Sequence, residues 1–202
     1  MQDPLSKAIS TAHGEIKGHL DAAATAVQEH VGRREVMQKT DAFLIHAIRH
    51  VSAVCDVILQ AARTQLSQGD KRVQEYVQQA RRVERAVAQT KRRLYGESHA
   101  ITLPWSQVWM GLGKELNRLN ILERHIVDDL SRELDREDRS TLADKVNTAE
   151  ATSPTRPHPN SPHTGRLAHL SRGFLAHTDK FWDAAEGRIV SVSTATHDKL
   201  AS

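Results

Sequence analysis

Aromatic side chains are scarce in this chain, at 4% of 202 residues, and the alternating β-branched runs of half-buried strands are all but missing. Residues 1–150 are instead rich in Ala, Leu, Gln, Arg and Glu, all strong helix formers, so the sequence predicts an all-α protein. The single cysteine, Cys55, excludes an intramolecular disulfide and a thiolate-rich metal site, and its place on an apolar helix stripe predicts inert packing. No apolar run approaches the roughly 18–20 residues of a membrane span, and the opening MQDPLSKAIS lacks the apolar centre of a secretory signal. These absences predict a cytoplasmic protein without a membrane partner. A net charge of +3 is small for a nucleic-acid binder. The one locally basic stretch, Arg81, Arg82, Arg85, Lys91, Arg92 and Arg93, comes without a helix-turn-helix, zinc-finger or phosphate-loop pattern, so it reads as a solvated helix face.

Apolar periodicity lays out four long helices. The first is expected over 5–31, with Leu5, Ile9, Ile16, Leu20, Ala23 and Val27 on one face and Gly32 just past its end. The second is expected from Thr40 as N-cap, with Leu44, Ala47, Ile48, Val51, Cys55, Ile58 and Ala62 inward, before a turn at residues 68–70. Val73, Val77, Ala80, Val83, Val87 and Leu94 mark the third, which Gly96 ends. Pro104 opens the fourth, whose stripe runs through Trp105, Val108, Trp109, Leu112, Leu116, Leu119, Ile126, Leu130 and Leu134. The short connections make sequential helices antiparallel, so the fold expected for residues 1–150 is an up-down four-helix bundle, with a short fifth helix over 137–149. Four of the six prolines fall in 151–165, which reads as an extended linker carrying Arg156, His158 and His163. A C-terminal helix over 166–190, with Leu167, Leu170, Phe174, Phe181, Trp182 and Ile189 in register, is expected to dock on the bundle, on a second copy of the chain or on a protein partner; 191–202 reads as a frayed tail.

Several ionisable residues stand on stripes that should be apolar. Glu123 lies at the centre of the fourth stripe, and the positions three and four away (Leu119, Asn120, Ile126, Val127) offer no basic residue. A buried charge costs several kcal/mol unless it is paired or ligated, so its partner is expected from another helix or from a bound ion. Glu84 lies inside the third stripe, with Arg81 one turn before it. His50 stands at the edge of the second stripe, with His46 one turn earlier, and His13 and His19 flank the first stripe on opposite sides. Helical-bundle cores build metal sites from such facing side chains. A direct Glu–His pair would satisfy the same residues with no metal.

Residues 5–134 resemble the hemerythrin-like, HHE cation-binding family of four-helix bundles, which hold non-haem iron between histidines and carboxylates. The segment His13-Gly-Glu-Ile16 looks like the first-helix histidine of that family. The paired histidine and acid that the second and fourth helices offer there are split here: His50 is followed by Val54, and Glu123 is preceded by Leu119. The third helix has no histidine, and Val73, Tyr76 and Val77 occupy that region. The resemblance therefore implies a reduced site in place of a full di-iron centre. His13, His50 and Glu123, with Glu84 as a fourth donor, would suit one non-haem iron or another divalent metal. Sensing or handling of dioxygen, peroxide or nitric oxide is the activity it implies. The alternative is a metal-free interaction or regulatory module; no nucleophile with a neighbouring base marks an enzyme.

Overall fold

A computed structural model describes residues 3–95 and 103–152. Among them the chain is helical, with no strand: α1 (Pro4–Gln28), α2 (Arg33–Ala53), a π-helical turn (Val54–Ile58), α3 (Leu59–Gln65), α4 (Gly69–Tyr95), α5 (Trp105–Glu133) and α6 (Arg136–Thr152). The fifth helix expected from the sequence is α6, longer at both ends. Most of the linker, the helix expected over 166–190 and the tail lie outside the described residues, as does the contact expected of that helix with a partner or second copy.

Long-range pairings set the helix directions. His13 meets His50 and His19 meets His46, so α1 and α2 run antiparallel. Arg72 reaches Asp129 and Gln79 reaches Glu115, which makes α4 and α5 antiparallel. Asp3 beside Ser131 and His13 beside Glu123 do the same for α1 and α5. One core, built from Leu5, Ile9, Ile16, Phe43, Ile58, Tyr76, Leu112, Leu119, Ile126 and Leu130 among others, joins these helices, and α6 adds Ala143 and Val146 to it. Asp3 ties three elements at one end. Its carboxylate accepts from Ser6 N at 2.8 Å as the N-cap of α1, accepts from Ser131 Oγ, and pairs with Arg139 of α6.

Helix boundaries differ from the sequence reading at the first connection. α1 stops early in a Schellman motif: Val31 N donates to Ala26 O and His30 N to Val27 O, with His30 in the left-handed region at φ 55°. Gly32, expected to end α1, is instead the N-cap of α2. Thr40 is not a cap. It is buried seven residues into α2, where its hydroxyl donates to Val36 O at 2.8 Å, satisfying a polar group that has no access to water. Arg33–Gln65 also contains a stretch apolar and long enough to cross a membrane by composition alone, contrary to the sequence expectation; 61% of that stretch is buried among the other helices, as a core helix requires.

The turn into α4 admits no side chain at its first residue. A Cβ on Gly69 would lie 2.0 Å from the carbonyl oxygen of Ala62. Gly69→Ala is expected to cost about 1–3 kcal/mol in urea unfolding, as overpacking against backbone does. His30→Gly should act in the opposite sense, raising the thermal midpoint by about 2–4 °C, because glycine takes the left-handed conformation without the penalty a Cβ carries.

Candidate metal centre

Three helices deliver one ionisable side chain each to a common point. On α1, His13 lies between Ile9 and Ile16, and on α5, Glu123 lies between Leu119 and Ile126; all four apolar neighbours are at most 2% exposed. Burial of these stripes carries the polar residues inward with them. His50, in the last turn of α2, precedes the π turn, a helix irregularity that often accompanies functional sites. Glu123 is fully buried, His50 is 3% exposed and His13 is 8% exposed.

Glu123 is the hub. Its Oε2 lies 2.5 Å from His13 Nε2 and 2.9 Å from His50 Nε2, and its Oε1 accepts from the Tyr76 hydroxyl of α4 at 2.9 Å. The two imidazole rings meet edge to face with centroids 5.2 Å apart. On its other side, His50 Nδ1 lies 2.6 Å from Glu150 Oε1, on α6. The expected alternatives to a bound ion, Glu123 bonded to His13 or to His50, are thus both present at once.

The electrostatics follow from these contacts. Burial by itself would push the His50 imidazolium down, but the Glu123 carboxylate and its hydrogen bond, with Glu150 behind, raise it from 6.5 to about 10. Burial likewise opposes the Glu123 carboxylate, and His50 and His13 together lower it from 4.5 to about 2. Burial also pushes the Tyr76 hydroxyl and the Cys55 thiol well above their usual ranges, with the negative charge of Glu123 adding to both. Cys55 is therefore a neutral packing group, as its stripe position predicts.

The sequence reading named His13, His50, Glu84 and Glu123. The structure brings three of them together, with ligand atoms of His13, His50 and Glu123 within 4.8 Å of one another. Glu84 does not join them. It is half-buried on α4, eight residues past the Tyr76 that reaches Glu123, a rise of about 12 Å along the helix axis. His46 turns away from His50 to stack on His19, with centroids 4.1 Å apart, so the i, i+4 histidine pair does not form one site. Two polar residues of the cluster were not identified from sequence. Tyr76 passes for a core aromatic between Val73 and Val83, although a buried hydroxyl demands a partner. Glu150 extends the inward stripe Ala143–Val146 by one turn, just past the expected end of its helix.

Two imidazoles and one carboxylate suit a divalent transition metal, and His13 Nδ1, buried with no hydrogen-bond partner among the described residues, leaves one imidazole only half satisfied by protein. Two ligands at about 2.0–2.2 Å from one ion lie about 3.0–3.5 Å apart, so the present spacings of 2.5 and 2.9 Å need only a small opening to hold one. The residues fit such an ion. Comparison of the chain with protein-family models, with curated proteins and with solved structures gives no match.

The pH dependence of the metal-free protein is a direct consequence. The raised His50 value contributes stability that is whole below 6.5 and is lost as pH climbs towards about 10. The lowered Glu123 value contributes stability that is whole above 4.5 and is lost as pH falls towards about 2. Unfolding midpoints measured across pH should therefore peak between about 4.5 and 6.5 and decline on both sides, and Glu123→Gln should flatten both arms.

Proposed function

We propose that α1, the α2–α3 segment, α4 and α5 form an up-down four-helix bundle of the hemerythrin-like kind, and that His13, His50 and Glu123 hold one divalent transition-metal ion in it, with non-haem iron the first choice. The observation that carries this reading is the convergence of three buried metal-ligating side chains, from three helices distant in sequence, within 4.8 Å. Core positions are mostly apolar because polar groups there are costly, and three ionisable groups at one point need a common purpose.

Each residue has a role in this reading. His13 and His50 give neutral nitrogen donors, for which His50 must first surrender the proton it shares with Glu123. Tyr76 keeps Oε1 of Glu123 occupied, so that Oε2 is the oxygen directed at the ion. The apolar residues around them exclude bulk water. Three protein donors leave about three positions of an octahedral ion open. When bound, iron would supply Lewis-acid and redox chemistry towards dioxygen, peroxide or nitric oxide, and sensing or handling one of these is the function proposed. Glu84 stands apart from this donor set.

The second reading, a metal-free interaction or regulatory module, also has an observation in its favour: each oxygen of Glu123 already has a hydrogen-bond donor. One measurement separates the two. Protein loaded with Fe2+ under low oxygen, desalted and analysed by ICP-MS should retain about one equivalent, and His50→Ala and Glu123→Ala should fall below about a tenth. Retention below about a tenth by the unaltered protein would decide for the module.

A further inference from the structure

The residue that grips His50 from behind belongs to none of the helices that resemble the hemerythrin-like bundle. Glu150 lies in the last turns of α6, a helix packed on α1, α2 and the π turn, and its Oε1 is 2.6 Å from His50 Nδ1. Its side chain is 25% exposed, whereas that of His50 is 3% exposed. This carboxylate thus reaches a sealed imidazole from the rim of the core. We propose that Glu150 is a positioning residue of the metal centre, acting through His50, and that α6 is consequently part of the site. The inference rests on the metal-binding reading above.

The chemistry of imidazole carries the argument. A neutral histidine keeps one proton, and the nitrogen that keeps it is the one with an acceptor. An ionised carboxylate only accepts, so Glu150 fixes the proton on Nδ1 and leaves the Nε2 lone pair pointing at Glu123 Oε2 and at any ion between them. A carboxylate behind a ligand histidine also raises the basicity of that ligand. Charge balance points the same way. A divalent ion with Glu123 and two neutral imidazoles carries one net positive charge, and Glu150 brings the group to neutrality without occupying a coordination position. His13 supplies the contrast, because its Nδ1 has no such acceptor among the described residues. Among the described residues, only His50 of the two imidazoles has its ring orientation held from both sides.

The test uses the full chain and Co2+, whose visible bands report the ligand field. Affinity is measured by chelator competition for the unaltered protein, Glu150→Ala and Glu150→Gln, and the His50 tautomer by two-bond 1H–15N correlation in the Zn2+-loaded forms. Glu150→Ala should retain a stoichiometry of one, weaken binding about ten- to a hundredfold and lose the exclusive Nδ1–H tautomer. Glu150→Gln keeps an acceptor oxygen without the charge, so it should preserve the tautomer and lose less affinity; it also serves if the alanine variant fails to fold. Affinity and tautomer unchanged in both variants would overturn this inference alone. No uptake by the unaltered protein would overturn the metal reading and this inference with it.

Discussion

A carboxylate with no access to water governs the centre of this molecule. Moving an ion of that size out of water costs several kcal/mol even after relaxation, in a domain whose total stability is about 5–15 kcal/mol. Glu123 is tolerated because His13, His50 and Tyr76, from three other helices, each bring a donor to it. That requirement reaches well beyond the pocket. Sliding any one of α1, α2 or α4 by a single residue would turn its donor about 100° away and strand the charge. Apolar stripes alone tolerate sliding far better, so the polar hub is what ties the mutual register of the helices to one arrangement. Arg72 with Asp129 and Asp3 with Arg139 reinforce the same register nearer the helix ends, where partial exposure makes each pair weaker.

Much of this was legible from residue types and their spacing. The all-α content follows from composition and the inward stripes from apolar periodicity, and the three named site residues that meet in the structure follow from one contradiction, a titratable residue on a face that must be dry. Glu84 satisfied the same angular test and still lies elsewhere, because stripe membership fixes direction around a helix and says nothing about height along it. Height is set by how neighbouring helices are staggered, and no local pattern encodes that. Tyr76 was hidden by being acceptable as core, and Glu150 by lying one residue beyond the expected end of its helix. The boundary between α1 and α2 was misread for a local reason. Thr40 is as good an N-cap as any in isolation, but within a helix its hydroxyl can bond the carbonyl four residues back, and a histidine in a left-handed cap leaves no glycine to announce it.

The π turn after His50 is the feature with least trace in the sequence. A π turn accommodates one residue more than the α-helical repeat, so everything beyond it is rotated by about one residue, or about 100°. Val54, Cys55, Ile58 and Leu59 are buried there, and α6 packs on the outside of the same turn. The stripe read from the α-helical repeat, Val51, Cys55, Ile58 and Ala62, is buried all the same, and Val54 and Leu59 join it, so the turn widens the buried face. The position four after His50, one turn on along the same face, is Val54, an apolar residue that opens the π turn. The carboxylate that approaches His50 comes instead from α6, at the opposite nitrogen. An acid supplied from another helix can hold the ring without competing for the position facing Glu123.

Whether protons or a metal ion occupy the space between these donors is a competition with a definite structural direction. In the protonated state His50 carries positive charge between two carboxylates, and that arrangement is what pulls Glu123 towards 2 and pushes His50 towards 10. A divalent ion would have to displace a proton held this tightly, so the hydrogen bonds that stabilise the metal-free protein would also set the threshold for any binding. An opening to admit an ion would fall unequally on the two imidazoles. His50 is bonded at both nitrogens and sits against the π turn, whereas His13, among the described residues, is bonded at one and can shift with no second hydrogen bond to break. For any ion that entered, this asymmetry would make His50 the fixed donor and His13 the adjustable one, with the adaptable side of the pocket on α1.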